Sequence, residues 1–142
     1  MIAPKLTIAD YPLAEVRPDL VRGARGKALD EITLDSVLSG STTLEDLRIT
    51  GNALRQQAEI AEAAGRPTLA ANFERAAELV GVPQEVIMRV YELLRPGRAS
   101  GKDDLIAVAS ELRAKYAANG IAVFVEEAAR VYERRGLFNK RY

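Results

Sequence analysis

From Thr33 onward the chain repeats one arrangement: a capping residue or proline, an apolar stripe at spacings of three and four, then a glycine or proline that closes it. Residues three and four apart share one face of a 3.6-residue turn, so this pattern dictates helices. Thr33 before Leu34-Asp35-Ser36-Val37-Leu38, with Gly40 after it, sets a short capped helix. Thr43 and Asp46 have capping-box spacing and open a second short turn through Leu47. Thr50 caps a longer helix that closes at Gly65, with Leu54, Ala58 and Ala61 inside. Pro67 holds a first helical position. Its stripe is Leu69, Phe73, Ala76, Ala77 and Val80, ended by Gly81. Pro83 starts the next helix, with Val86, Ile87, Val90, Tyr91 and Leu94 on its buried face and Pro96-Gly97 as the stop. Ser100 with Asp103 repeats the capping-box spacing and opens a helix through Leu105, Ile106, Ala109, Leu112 and Tyr116 to Gly120. The last helix starts near Asn119 or Gly120, carries Ile121, Phe124, Val125, Ala128, Val131 and Tyr132, and ends by Gly136.

The first thirty residues are different. Pro4, Pro12, Pro18, Gly23 and Gly26 interrupt any helical period, since proline fixes its own φ and biases its predecessor toward extended geometry. Yet Leu6, Ile8, Tyr11, Leu13, Val16, Leu20 and Val21 make the segment too apolar for a disordered tail. Such an arm either wraps its own helical body or reaches a partner chain. No segment shows strand alternation with hairpin chemistry. The 142 residues therefore read as a single all-α structural domain: an extended Pro/Gly-punctuated arm over 1–30 and a compact helical body over 31–142. The helices are rich in alanine, aromatics make up 6%, and tryptophan is absent. Alanine faces let helix axes approach closely but bury little area, which favours a subunit over a free-standing domain.

The residue inventory narrows the chemistry. With no cysteine and no histidine, the chain can form no disulfide, thiolate nucleophile, Cys/His zinc site or imidazole base. Twenty basic residues balance twenty acidic ones, which argues against a nucleic-acid binder driven by phosphate neutralisation. Pro4 and Asp10 break the N-terminus before a signal-peptide stretch forms. The apolar run Ile121 to Val125 is far shorter than the roughly 20 residues that cross a bilayer. A cytoplasmic protein without membrane or nucleic-acid partners is expected.

Each motif that could carry chemistry has a plainer account. Gly97 to Asp103 suggests a phosphate loop, but Pro96 stands where its first glycine belongs and Asp103 follows Lys102 in place of Ser or Thr. Gly23-Ala24-Arg25-Gly26 imitates a backbone-clamping glycine loop, yet it sits in the punctuated arm and reads as a turn. The pairs Asp103/Asp104 and Glu126/Glu127 point about 100° apart on a helix. Glu59/Glu62 belong to a polar stripe with Gln56 and Arg66, so all three pairs read as solvated surface. Arg130, Arg134, Arg135, Lys140 and Arg141 cluster toward the C-terminus, and Arg95 and Arg98 follow an earlier helix, where cations complement the dipole. Tyr91, Tyr116 and Tyr132 fall at core periodicity. No nucleophile, base and orienter assemble, so no catalytic, cofactor-binding or metal residue is assigned.

Several blocks, in order, resemble the small (gamma) subunit of adenosylcobalamin-dependent diol and glycerol dehydratases. They are Asp10-Tyr11-Pro12-Leu13-Ala14, Thr33 through Gly40, Leu47-Arg48-Ile49-Thr50, Asn72 through Leu79, Ile87 through Pro96, and Phe124 through Ala129 with Val131-Tyr132. The similarity runs from about Asp10 to about Arg135. It implies a complex of large (alpha), medium (beta) and small subunits, two copies of each, that converts 1,2-diols or glycerol to aldehydes by radical dehydration. Adenosylcobalamin would be held by the other subunits and none by this chain, whose expected role is to pack on the large one. Tyr11, Pro12 and Leu13, with Arg95 and Arg98, are the candidate partner contacts, and Phe73 and Leu69 are expected in the core. Gly51 stands where relatives continue with proline, and Gly97 where they often place an aromatic residue. The nine residues before the Asp10 block are a short leader, which points away from a bacterial microcompartment. The competing classes are a free-standing helical interaction adaptor and a nucleic-acid binder using the arginine-rich tail.

Overall fold

The computed structural model describes residues 5–138, so Pro4 of the arm and Lys140 and Arg141 of the tail lie outside the described residues. The protein is all-α: among the described residues there is no strand, only an isolated antiparallel bridge between Arg22 and Ala28. The chain forms two compact units, one through Val80 and one from Gly81.

The first unit begins with the punctuated segment. An extended arm was expected there. Instead the segment forms short turns: a 3₁₀ turn at Ile8–Asp10 after Thr7, helix α1 at Leu13–Val16 directly after Pro12, and a 3₁₀ turn at Pro18–Leu20 with Pro18 at its first position. The Tyr11–Pro12 peptide is cis. Asp10 accepts from the Thr7 N–H at 2.8 Å, and Arg17 bridges Asp10 at 3.4 Å and Asp19 at 3.0 Å. A main-chain bond ties the segment down, because Leu6 N–H donates to Glu59 Oε2 at 2.8 Å. Glu59 is thus an anchor and not merely the solvated surface residue its stripe suggested.

Beyond a 3₁₀ turn at Leu29–Glu31 come α2 (Leu34–Leu38) and α3 (Leu44–Leu47), then the longer pair α4 (Gly51–Ala63) and α5 (Pro67–Leu79). Thr33 caps α2 through the Ser36 N–H at 3.1 Å, and Thr50 caps α4 through the Ala53 N–H at 3.0 Å. Gly65, at φ +70°, turns the chain between α4 and α5. Ala58, Ala61 and Ala70 pack with Phe73 at their contact. A Cβ at Gly51 would lie 3.4 Å from the Ala77 carbonyl oxygen, so the start of α4 lies against the end of α5. Leu69 and Val80, expected inside, are exposed. Ala70 and Ala77 are the buried residues of α5, with Phe73 packed beside them, while Leu69 and Val80 lie outside this contact.

The second unit consists of α6 (Gln84–Leu94), α7 (Lys102–Tyr116) and α8 (Asn119–Arg135). α7 and α8 pack along each other, and α6 lies on α7. Leu105, Leu112 and Val125 are its largest fully buried side chains, among the enclosed methyls of Ala109, Ala122 and Ala129. Tyr132 donates its hydroxyl to the Leu94 carbonyl. Tyr91 and Phe124, expected in the core, are exposed. The cap of α7 also differs from the expected spacing: Ser100 N–H and Oγ bond Asp104, at 2.7 and 2.9 Å, and not Asp103. Helix α7 begins only at Lys102, which moves the reach by one residue.

Candidate interaction surface

Around residues 22–46 the usual distribution of polar and apolar groups is reversed. Gly23-Ala24-Arg25-Gly26 is a turn, as its setting suggested: Gly26 N–H bonds the Gly23 carbonyl at 2.9 Å and Gly23 N–H the Lys27 carbonyl at 2.9 Å. Its arginine points to a carboxylate of the same chain. Arg25 grips the buried Asp46 through both carboxylate oxygens, with Nε at 2.8 Å from Oδ1. Arg25 also donates to the Ser41 carbonyl at 3.0 Å, and Lys27 Nζ donates to that carbonyl at 2.7 Å and to Thr42 Oγ1 at 2.9 Å. Thr42 is buried too, and its hydroxyl meets Ser36 Oγ at 2.8 Å. Asp46 accepts in addition from the Thr43 N–H at 2.9 Å, the acidic half of the predicted capping box. Arg25 and that N–H hold the Asp46 carboxyl well below the usual carboxylate range.

With polar groups inside, the leucines of this stretch are left outside. Leu34, Leu38 and Leu44 are 73%, 76% and 81% exposed, and Val37, Leu47 and Ile49 are exposed as well. An apolar concavity in the same unit is lined by Ile8, Tyr11, Ile60, Leu69 and Phe73, together with Arg66.

The five sequence-level contact candidates separate. Tyr11 is 62% exposed and Pro12 is exposed, whereas Leu13 is 6% exposed and belongs to the interior of the first unit. Arg95 and Arg98 are exposed on the second unit, both facing Glu92, at 3.0 and 3.9 Å. The Lys102 ammonium of the phosphate-loop look-alike bonds Glu133 at 2.7 Å, and Glu126 pairs with Arg113 at 2.8 Å. Among the described residues, every buried side-chain nitrogen and oxygen has a partner, no group of acidic residues could hold a metal ion, and no helix is long and apolar enough to cross a membrane. The distinctive surface of this chain is apolar.

Residues 6–139 match the family described as dehydratase small subunit, and the chain belongs to that family. Its relatives include the propanediol dehydratase small subunit of Citrobacter freundii, 51% identical over 128 residues that cover 90% of this chain and 74% of that protein. The propanediol dehydratase small subunit of Salmonella typhimurium (strain LT2) is 49% identical over 128 residues, covering 90% and 73%.

Proposed function

We propose that the chain is the small subunit of a cobalamin-dependent dehydratase that converts propane-1,2-diol or glycerol to the aldehyde, and that it supplies shape and adhesion while other subunits hold the reacting groups. The identity of 51% across 90% of the chain to a propanediol dehydratase small subunit carries this reading. A chain without histidine or cysteine fits a packing role, since it has neither an imidazole nor a thiolate to offer cobalt or a substrate. Adenosylcobalamin therefore belongs to the large and medium subunits, two copies of each accompany two of this chain, and the assembly works in the cytoplasm. Tyr11 and Pro12, with Arg95 and Arg98, remain contact candidates because their side chains are available. Leu13 is better placed to hold the first unit together.

The test is co-expression with the large and medium subunits, with and without this chain, followed by purification on a tagged large subunit and an aldehyde assay. Co-purification, with no diol turnover by this chain alone, is the expected result. Diol turnover by the isolated chain would overturn the non-catalytic role, and failure to co-purify would overturn the subunit assignment.

A further inference from the structure

The concavity that the N-terminal segment makes with α4 and α5 has a volume of about 490 Å³, within the roughly 300–1,000 Å³ typical of small-ligand pockets. Ile8 and Tyr11 from the N-terminal segment and Leu69 and Phe73 from α5 supply most of its apolar lining. Ile8 and Tyr11 are 59% and 62% exposed, so this lining faces water although the segment that carries it is held in place. Leu6 N–H is bonded to Glu59 of α4 at 2.8 Å, and Leu13, two residues beyond Tyr11, is buried. A wall fixed at both ends is preformed, which limits the ordering cost of binding.

The polar groups of the lining define the ligand. The Arg66 guanidinium and the Gln57 amide both line the concavity, and neither has a hydrogen-bond or ion-pair partner among the described residues. Arg66 is the N-cap residue of α5, yet its side chain makes no capping bond, so the helix does not need it. Among the described residues no acidic side chain and no second cation line the space. A wholly apolar ligand would strip water from the guanidinium and give nothing back. A carboxylate would instead accept two parallel N–H bonds from it. A single cation balances a single negative charge, whereas a phosphate dianion calls for several cations or main-chain donors.

We propose that this concavity binds a small organic monocarboxylate, its carboxylate paired with Arg66 and its aromatic or aliphatic body laid against Tyr11, Leu69 and Phe73. The site lies within the first unit and goes beyond the subunit reading. The probes are 4-phenylbutyrate and its uncharged counterpart 4-phenylbutan-1-ol, titrated into the full chain and followed by backbone amide chemical shifts. The acid should bind about fivefold or more tightly than the alcohol, moving the amides of residues 8–11 and 57–73 and leaving those around Met88 of the second unit unmoved. Arg66→Gln alters an exposed side chain without a capping role, so its fold should persist while the preference for the acid disappears. Leu69→Ala should weaken the acid about threefold or more through lost apolar contact and keep the preference. The complex with the larger subunits should bind the acid as the free chain does. Equal affinity for acid and alcohol, a preference that survives Arg66→Gln, or shifts confined to other residues would each overturn the site. Loss of acid binding in the complex would assign the concavity to a subunit contact and overturn the small-molecule site, while the subunit assignment stands.

Discussion

Gly23 lies so close to the main chain of Asp46 that a Cβ on it would stand 2.6 Å from the Asp46 carbonyl oxygen. No real Cβ occupies that distance, and a backbone atom cannot swing aside as a flexible side chain would. The turn at 23–26 and the end of α3 are therefore in contact only because position 23 has no side chain. Gly23→Ala should lower the unfolding free energy by about 1–3 kcal/mol, as overpacking does. Gly26 offers the comparison, since nothing lies within 4 Å of its Cβ position but its φ is +82°. Gly26→Ala should cost about 1–2 kcal/mol from backbone strain alone. Urea denaturation followed by circular dichroism measures both.

The Asp46 carboxylate makes acid stability a readout of its pairing with Arg25. Its folded pKa lies below the ordinary carboxylate value, so the stabilisation is complete above about pH 4 and is lost as pH falls toward the folded value. Melting temperature measured from pH 7 down to pH 3 should therefore decline more steeply for the parent chain than for Asp46→Asn. A slope should remain in the variant, because Asp10, Asp104 and Glu126 are also held below their ordinary values by Thr7, Ser100 and Arg113. Equal slopes would mean that Arg25 does not select the charged form.

Ala117 connects α7 to α8 at φ +52°, the one non-glycine residue with positive φ among those described. Its Cβ crowds the neighbouring carbonyl there, whereas glycine does not. Ala117→Gly should raise stability by a few tenths to about 1 kcal/mol, the relieved strain being partly offset by the greater freedom of glycine in the unfolded chain. A higher urea midpoint with unchanged helicity checks it.

The two kinds of leucine should respond in opposite ways. Leu112 has no accessible surface, and Leu112→Ala should cost about 2–5 kcal/mol. Leu44, exposed to 81%, should change the isolated chain's stability by less than about 0.5 kcal/mol on truncation to alanine. A large loss at Leu44 in the isolated chain would place it in an interior, not on a surface.

Helix limits were legible because their signals act within a turn of where they stand. Thr33, Thr50, Pro67 and Gly136 each occupy the cap, first-turn or left-handed position their chemistry favours. What the sequence concealed depends on tertiary contacts. Three-residue turns such as Ile8–Asp10 are too short to show a period, so the first thirty residues read as extended. Leu69, Tyr91 and Phe124 fall at core spacing, yet Ala70, Val90 and Val125 beside them take the inner positions. The exposed apolar face around Leu34, Leu38 and Leu44 was not legible in the sequence. Asp46 read as a cap for its own short helix, and nothing local announces that it also receives Arg25 from 21 residues upstream. Once that pair turns inward, the leucines beside it have nowhere to go but the surface.

Ala109, Ala122 and Ala129 retain no contact with solvent, and this limits how the second unit can diverge. A methyl that fills its space completely leaves no room for a longer branch, and forcing one in costs about 1–3 kcal/mol. A bulkier residue at any of these three places must displace its neighbours, whereas a change on an outward face meets no such cost. The inner geometry is thereby preserved while the exterior stays free to follow changes in whatever it touches.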